Sequence, residues 1–312
     1  MTVATITVTA MVSAGFPSPS LDIEMYANNQ LLSSHHWDAV EKGQSVQDSV
    51  ELTEVGTWDI FAIARLSNPF GEIEAESPHK TIEIYPTLNP TAWWKCDEGS
   101  GTELADSSEN ENTCTLANIS WTEATGRGTK PTFNGVNSEG QVGADTALNI
   151  YPKGKITAMC WVYAENVGEG GFGTSFSHYS YSVPTGALGY DIAIWGSAGG
   201  TYFQDVTIGV SGTDAYAVSN ADFTFRQWNH LAISFDIDGD KKIHFTINGE
   251  EKTPLMSIPG VGTIKDDSAV KFGIGYQPWS GYGTWNGYID DVRVYQDFLT
   301  EAEIKAIYDA TK

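Results

Sequence analysis

Positive charge is scarce in this chain: 17 Lys and Arg stand against 40 Asp and Glu in 312 residues, a formal charge of −23. Nucleic-acid binding draws its affinity from basic residues that displace counterions from phosphates, so this balance excludes DNA and RNA as partners. Cysteine is scarce too. Cys96, Cys114 and Cys160 permit at most one bridge, so stability has to come from packing, and a reducing site of synthesis is permitted. Long apolar runs are missing. No stretch approaches the roughly 18 residues a membrane helix needs, and MTVATITVTAMVSAG has neither the basic nor the unbroken apolar region of a secretion signal, so no membrane insertion is expected.

What is present is glycine, 32 residues, together with 12% aromatics, the composition of an ordered, turn-rich all-β protein. Residues 3–9 alternate, LDIEMYANNQLLS sets an Asn-Asn turn between apolar stretches, VGTWDIFAIARLSN is a long strand entered through Gly56, and KTIEIYP closes the series. Short strands at this spacing predict a small antiparallel sandwich over 1–88. YPTLNPTAW, with Pro86 and Pro90, reads as a short stiff linker. Beyond it AWWKC, ITAMCWVYAE, YDIAIWG, TYFQDVTIGV, HLAISFDID, KKIHFTING, VKFGIGYQ and GYIDDVRVY predict a second, larger sandwich over 89–312.

The strand pattern of 1–86 resembles bacterial and phage immunoglobulin-like modules, which serve as spacers or attachment units. The order WWKCDEGSGTELADSSENEN, FNGVNSEG, ITAMCWVYAEN, WNHLAISFD with KIHFTINGE, and GYIDDVRVYQDFLTEAEI resembles the laminin-G-like, concanavalin A-like jelly-roll family that includes pentraxins. The resemblance covers about residues 91–311 and implies two antiparallel sheets of six or seven strands each. Where the family typically shows Gly in DSSGNGN, this chain carries Glu109. The resemblance also implies a structural Ca²⁺. Laminarinase-type hydrolases place a calcium-ligating Asp where Asp290 falls in IDDVRVYQ, with Glu98 and Asp106 as the nearby loop carboxylates. The bland alternative is that Asp290 and Asp291 only accept hydrogen bonds, from backbone or from Arg293.

Other chemistry is thin. DIDGDKK fails as a calcium loop because Lys241 and Ile247 stand where Gly and Glu are required, which leaves a charged hairpin turn. The six histidines, His35, His36, His79, His178, His230 and His244, have no metal-ligand spacing. No Glu is followed two residues later by Asp, so the paired carboxylates of laminarinase-like enzymes are missing, and EIEAE at 72–76 reads as a solvated sheet edge. No enzyme is expected. Aromatics in GYQPWSGYGTWNGY and YDIAIWGSAGGTYFQD suggest saccharide contact through Trp195, Tyr202, Trp279, Tyr282 and Trp285, whereas Trp161, Trp228 and Phe235 read as core. Thr300 and Glu303 predict a capping box for a terminal helix with Leu299 and Ile304 as its staple.

Two surface-type modules in tandem, read without a secretion signal and compatible with a reducing site of synthesis, lead to the expectation of a non-catalytic decoration or adhesion protein of a phage virion surface, its first domain docking or spacing. Its partners would be a glycan or host-surface polysaccharide, neighbouring capsid or tail proteins, or further copies in a homo-oligomer. The alternative is the carbohydrate-binding part of a secreted bacterial polysaccharide-degrading enzyme or a cell-surface adhesin.

Overall fold

The computed structural model describes residues 4–12, 20–52, 56–68, 71–84, 89–144, 148–182, 186–196, 202–219 and 223–312. Contacts divide the chain into two units, Met1–Leu88 and Asn89–Lys312. Residues 85–88, the first part of the linker reading, lie outside the described residues.

Unit 1 carries β1 (Ala4–Met11), β2 (Ser20–Ala27), β3 (Gln30–Trp37), β4 (Ser45–Leu52), β5 (Gly56–Asn68), β6 (Gly71–Glu76) and β7 (Lys80–Ile84). β1 pairs with β4, and a second sheet runs β3-β2-β5-β6 with β7 also on β5. The hairpin between β2 and β3 turns on Asn28 and Asn29, both at positive φ (47° and 63°), the conformation a tight two-residue turn requires and Asn tolerates. In β2 the alternate residues Leu21, Ile23 and Met25 are buried, and they join Val46 and Ile6 of the other sheet in one core, so the unit is a two-sheet sandwich. β6 is an edge strand whose Glu72, Glu74 and Glu76 are exposed, charges that oppose pairing with another strand.

Unit 2 opens with β8 (Ala92–Trp94), β9 (Glu103–Leu104), β10 (Cys114–Ala117), β11 (Ser120–Ala124), β12 (Gly128–Asn134), β13 (Glu139–Ala144), β14 (Lys155–Ala164), β15 (Phe172–Ser182) and β16 (Gly186–Gly196). It continues with β17 (Tyr202–Ile208), β18 (Ala215–Ser219), β19 (Trp228–Asp236), β20 (Ile243–Ile247), β21 (Glu250–Lys252), β22 (Met256–Ile258), β23 (Lys271–Ile274), β24 (Asn286–Tyr295) and the helix α1 (Glu301–Thr311). A nine-stranded sheet runs β22-β18-β17-β16-β15-β23-β13-β10-β9. An eight-stranded sheet runs β11-β12-β24-β14-β19-β20-β21, with β8 also on β24. Both exceed the six or seven strands expected, because short strands such as β9, β21 and β22 extend the edges.

The core lies between these sheets. Phe176, Tyr190, Ile192 and Phe272 from one meet Ile156, Phe235, Val292 and Val294 from the other. Each such side chain, once fully buried, contributes roughly 1.5–3 kcal/mol. The three cysteines are free and buried. α1 starts at the anticipated capping box, with Thr300 and Glu303 satisfying each other's backbone N–H. It lies on the outer face of the eight-stranded sheet, where Tyr308 stacks on Trp161 at 5.4 Å. Trp161 is thus buried beneath the helix and not between the sheets, and Trp228 is only half-buried.

Candidate functional site

β16 turns Tyr190, Ile192 and Ile194 inward, so the strand period puts Asp191, Ala193 and Trp195 on the outer face of the nine-stranded sheet. Asp191 stands opposite Ser177 of β15, and Ala193 stands opposite Asp205 of β17, which makes the two aspartates diagonal neighbours. The segment 275–285 folds back over this face. It departs through Gly275, whose φ is 78° and where a Cβ would stand 2.3 Å from the Phe133 ring. Gln277 Nε2 then donates to Asp191 Oδ2 at 2.7 Å, and Trp279 meets Tyr179 edge-on with centroids 6.1 Å apart and Tyr181 at 6.5 Å. Tyr282 stacks on Phe172 at 6.5 Å. Tyr181, Trp279 and Tyr282 remain 48%, 46% and 42% exposed, a ridge of rings beside buried carboxyls.

Burial pushes the Asp191 carboxyl up to about 8, aided by the charge of Asp205 and opposed by the bonds from Gln277 and the Thr207 backbone. Burial also pushes Asp205 up to about 6. At neutral pH Asp191 therefore keeps its proton and can donate as well as accept, while Asp205 accepts. Hydroxyl-bearing ligands need that mixture.

Of the five anticipated ligand residues, the structure leaves Trp279 and Tyr282 exposed beside this face and places Trp195 on it, half-buried. Tyr202 begins β17 opposite Gly196, and its side chain lies outside the described residues. Trp285 is a correction: it is 1% exposed, belongs to the inter-sheet core and points its indole N–H to Tyr163 O at 3.4 Å, so it cannot stack on a ligand. Tyr179, Tyr181, Asp191 and Gln277 were missed. The spacing of the two tyrosines by two residues in β15 was the available signal, since it puts both on one face.

The adjacent pair Asp290 and Asp291 owes its arrangement to a bulge. β14 pairs Trp161 with Asp290 and Met159 with Arg293, leaving one extra residue on β24, and Asp291 takes a positive φ of 49° there. Both carboxylates consequently turn away from the core that holds Ile289 and Val292. Asp290, 3% exposed, accepts from Arg127 Nη1 at 2.7 Å and faces Lys130 Nζ at 2.8 Å. Asp291 accepts from Trp93 Nε1 at 2.6 Å and Arg293 Nε at 3.0 Å. Lys130 also pairs with Asp97, and Arg127 donates to Thr311 O at 2.6 Å.

These surroundings do not fit the Ca²⁺ anticipated at Asp290, Asp106 and Glu98. Ca²⁺ takes six to eight oxygens, roughly, whereas both Asp290 oxygens face cations that would repel it. Asp106 is saturated by Trp93 N at 2.9 Å, Ser108 N and Oγ at 2.8 and 2.7 Å, and Asn112 N and Nδ2 at 2.8 and 2.9 Å. Burial works to raise its carboxyl, but these donors outweigh burial and hold it below the usual range. Glu98 accepts from Ala105 N at 2.9 Å. Among the described residues no three His, Cys, Asp or Glu side chains converge on a metal position.

Residues 133–305 match the laminin G-type family described as the concanavalin A-like lectin/glucanases superfamily. No curated protein matches the chain. Among solved structures, the binding domain of botulinum neurotoxin serotype D has a TM-score of 0.52 at 12% identity, over 72% of this chain and 53% of that one. The serotype G binding domain has a TM-score of 0.52 at 15% identity, over 71% and 51%. The chain spans about half the length of these structures, and at such identities the likeness concerns fold alone. With a family match over more than half its length and two packed antiparallel sheets forming the jelly roll, the chain belongs to the concanavalin A-like lectin/glucanases superfamily.

Proposed function

We propose that this protein is a non-catalytic binding module that takes a saccharide on the outer face of the nine-stranded sheet. The observation that carries this reading is the exposed ring of Trp279 held against Tyr179 and Tyr181 beside Asp191 and Gln277. Aromatic faces stack on pyranose C–H surfaces, and a protonated carboxyl next to an amide reads hydroxyls. Names of fold neighbours that call them binding domains are in keeping with this role. Unit 1, an immunoglobulin-like spacer or docking module in this reading, would carry the binding unit on a virion surface, beside capsid or tail proteins and as one or several copies. A glycan array with the full chain tests the proposal. Saturable binding lost in Trp279→Ala supports it, and an array without any saccharide signal overturns it.

A second reading is favoured by one observation, the diagonal placement of the Asp191 and Asp205 carboxyls on adjacent strands. Such a pair is the minimum for glycoside hydrolysis. Reducing-end release from a polysaccharide, abolished in Asp191→Asn, would replace the non-catalytic reading.

A further inference from the structure

On the eight-stranded sheet, away from the aromatic face, lies an open cavity of about 340 Å³ lined by Trp93, Lys95, Asp97, Arg127, Lys130, Asp290, Asp291, Arg293 and Lys312, among others. Five of the chain's 17 basic residues gather here against three acidic ones, in a protein whose formal charge is −23. Such a concentration against the prevailing sign marks a place where an anion is drawn in.

The five cations are not equally engaged. Lys130 and Arg127 are held by Asp97 and Asp290, and Lys312 reaches Asp309 at 2.7 Å. Arg293, 14% exposed, pairs through its Nε with Asp291 and also hydrogen-bonds Tyr295. Lys95 is exposed and its ammonium sits 4.4 Å from the Trp93 ring centroid, with no carboxylate within ion-pair distance among the described residues. The Arg293 guanidinium lies 4.4 Å from the same centroid. Trp93 itself is fixed by its N–H bond to Asp291, so the two cations are presented on a rigid support. Both cations line this one cavity, and an oxyanion entering it would meet charge-assisted bonds, which are short and strong. The volume lies in the range of about 300–1,000 Å³ typical of small-molecule sites.

We propose that this cavity binds the carboxylate of an acidic saccharide, a uronate, through Lys95 and Arg293. The sugar half of this assignment rests on the reading of the protein as a saccharide binder; the anion half does not. The test is an NMR titration of the ¹⁵N-labelled full chain, following the Trp93 indole N–H, assigned by its loss in Trp93→Phe. Glucuronate should move that resonance saturably and glucose should not, 0.5 M NaCl should weaken the response, and Lys95→Gln should weaken it about tenfold. Trp279→Ala should leave the response unchanged, so failure of the aromatic face and failure of this cavity are told apart. No saturable shift at Trp93 with glucuronate, an equal affinity in Lys95→Gln, or a response to an oligoglutamate peptide but not to glucuronate would each overturn the proposal.

Discussion

Arg127 donates to Asp290 at 2.7 Å across 163 positions of sequence, and both side chains are nearly closed to solvent, at 14% and 4% exposure. The pair, with Lys130 on the other oxygen, gives Asp290 an internal counter-charge of its own. Removing one partner of a buried pair leaves the others uncompensated, at a cost of about 3–5 kcal/mol. Asp290→Ala should therefore lower the thermal midpoint of unit 2 by many degrees in calorimetry. Wild-type protein should melt at the same temperature in Ca²⁺ and in chelator.

Asp191 makes stability fall as pH rises from acid to neutral. Its folded value, about 8, lies above the ordinary carboxylate value of 3.8 because of burial, so its contribution is whole below pH 3.8 and is lost as pH rises through 8. Thermal midpoints measured from pH 5 to 9 should fall between pH 5 and 8 in wild type and level off above 8, and Asp191→Asn should flatten that fall.

His230 acts in the opposite direction. Burial, with Arg293 and Arg127 nearby, pushes its imidazole down to about 3 from 6.5, so the stability it contributes is present above pH 6.5 and is lost as pH falls towards 3. His230→Phe, which keeps a ring against Trp161, should reduce the slope of midpoint against pH between 6 and 4.

Two tryptophans six residues apart should behave as opposites. Trp285→Ala removes a core ring and should cost about 3–5 kcal/mol in denaturant unfolding. Trp279→Ala removes a ring that is 46% exposed and should change stability by about 0.5 kcal/mol or less, while abolishing saccharide binding.

These residues also mark what could be read before the structure. Local rules carried over: the Asn28-Asn29 turn, the alternation of β2 and the Thr300–Glu303 box are encoded within a few residues of where they act. β15 escaped notice because FGTSFSHYSYS is rich in Ser, Gly and Thr with no apolar alternation, although its central position buries most of it. Trp279 and Trp285 share one glycine-rich stretch, and only the fold-back of 275–285 decides which ring faces water. Resemblance suggested a metal at Asp290. Its actual partners come from the turn at 125–127 and from β12, at separations no local pattern carries.

The extra residue at Asp291 resets the phase of β24. Ile289 before it and Val292 after it both face inward, three positions apart where an unbroken strand would allow two or four. A one-residue deletion there would close the bulge and leave Ile289 and Val292 two positions apart, both still inward, at the cost of the carboxylate that accepts from Trp93 and Arg293. Deletion of Asp291 should therefore leave unit 2 folded with a lower thermal midpoint, whereas deletion of Arg293, which would set Val292 and Val294 on opposite faces, should abolish its folding.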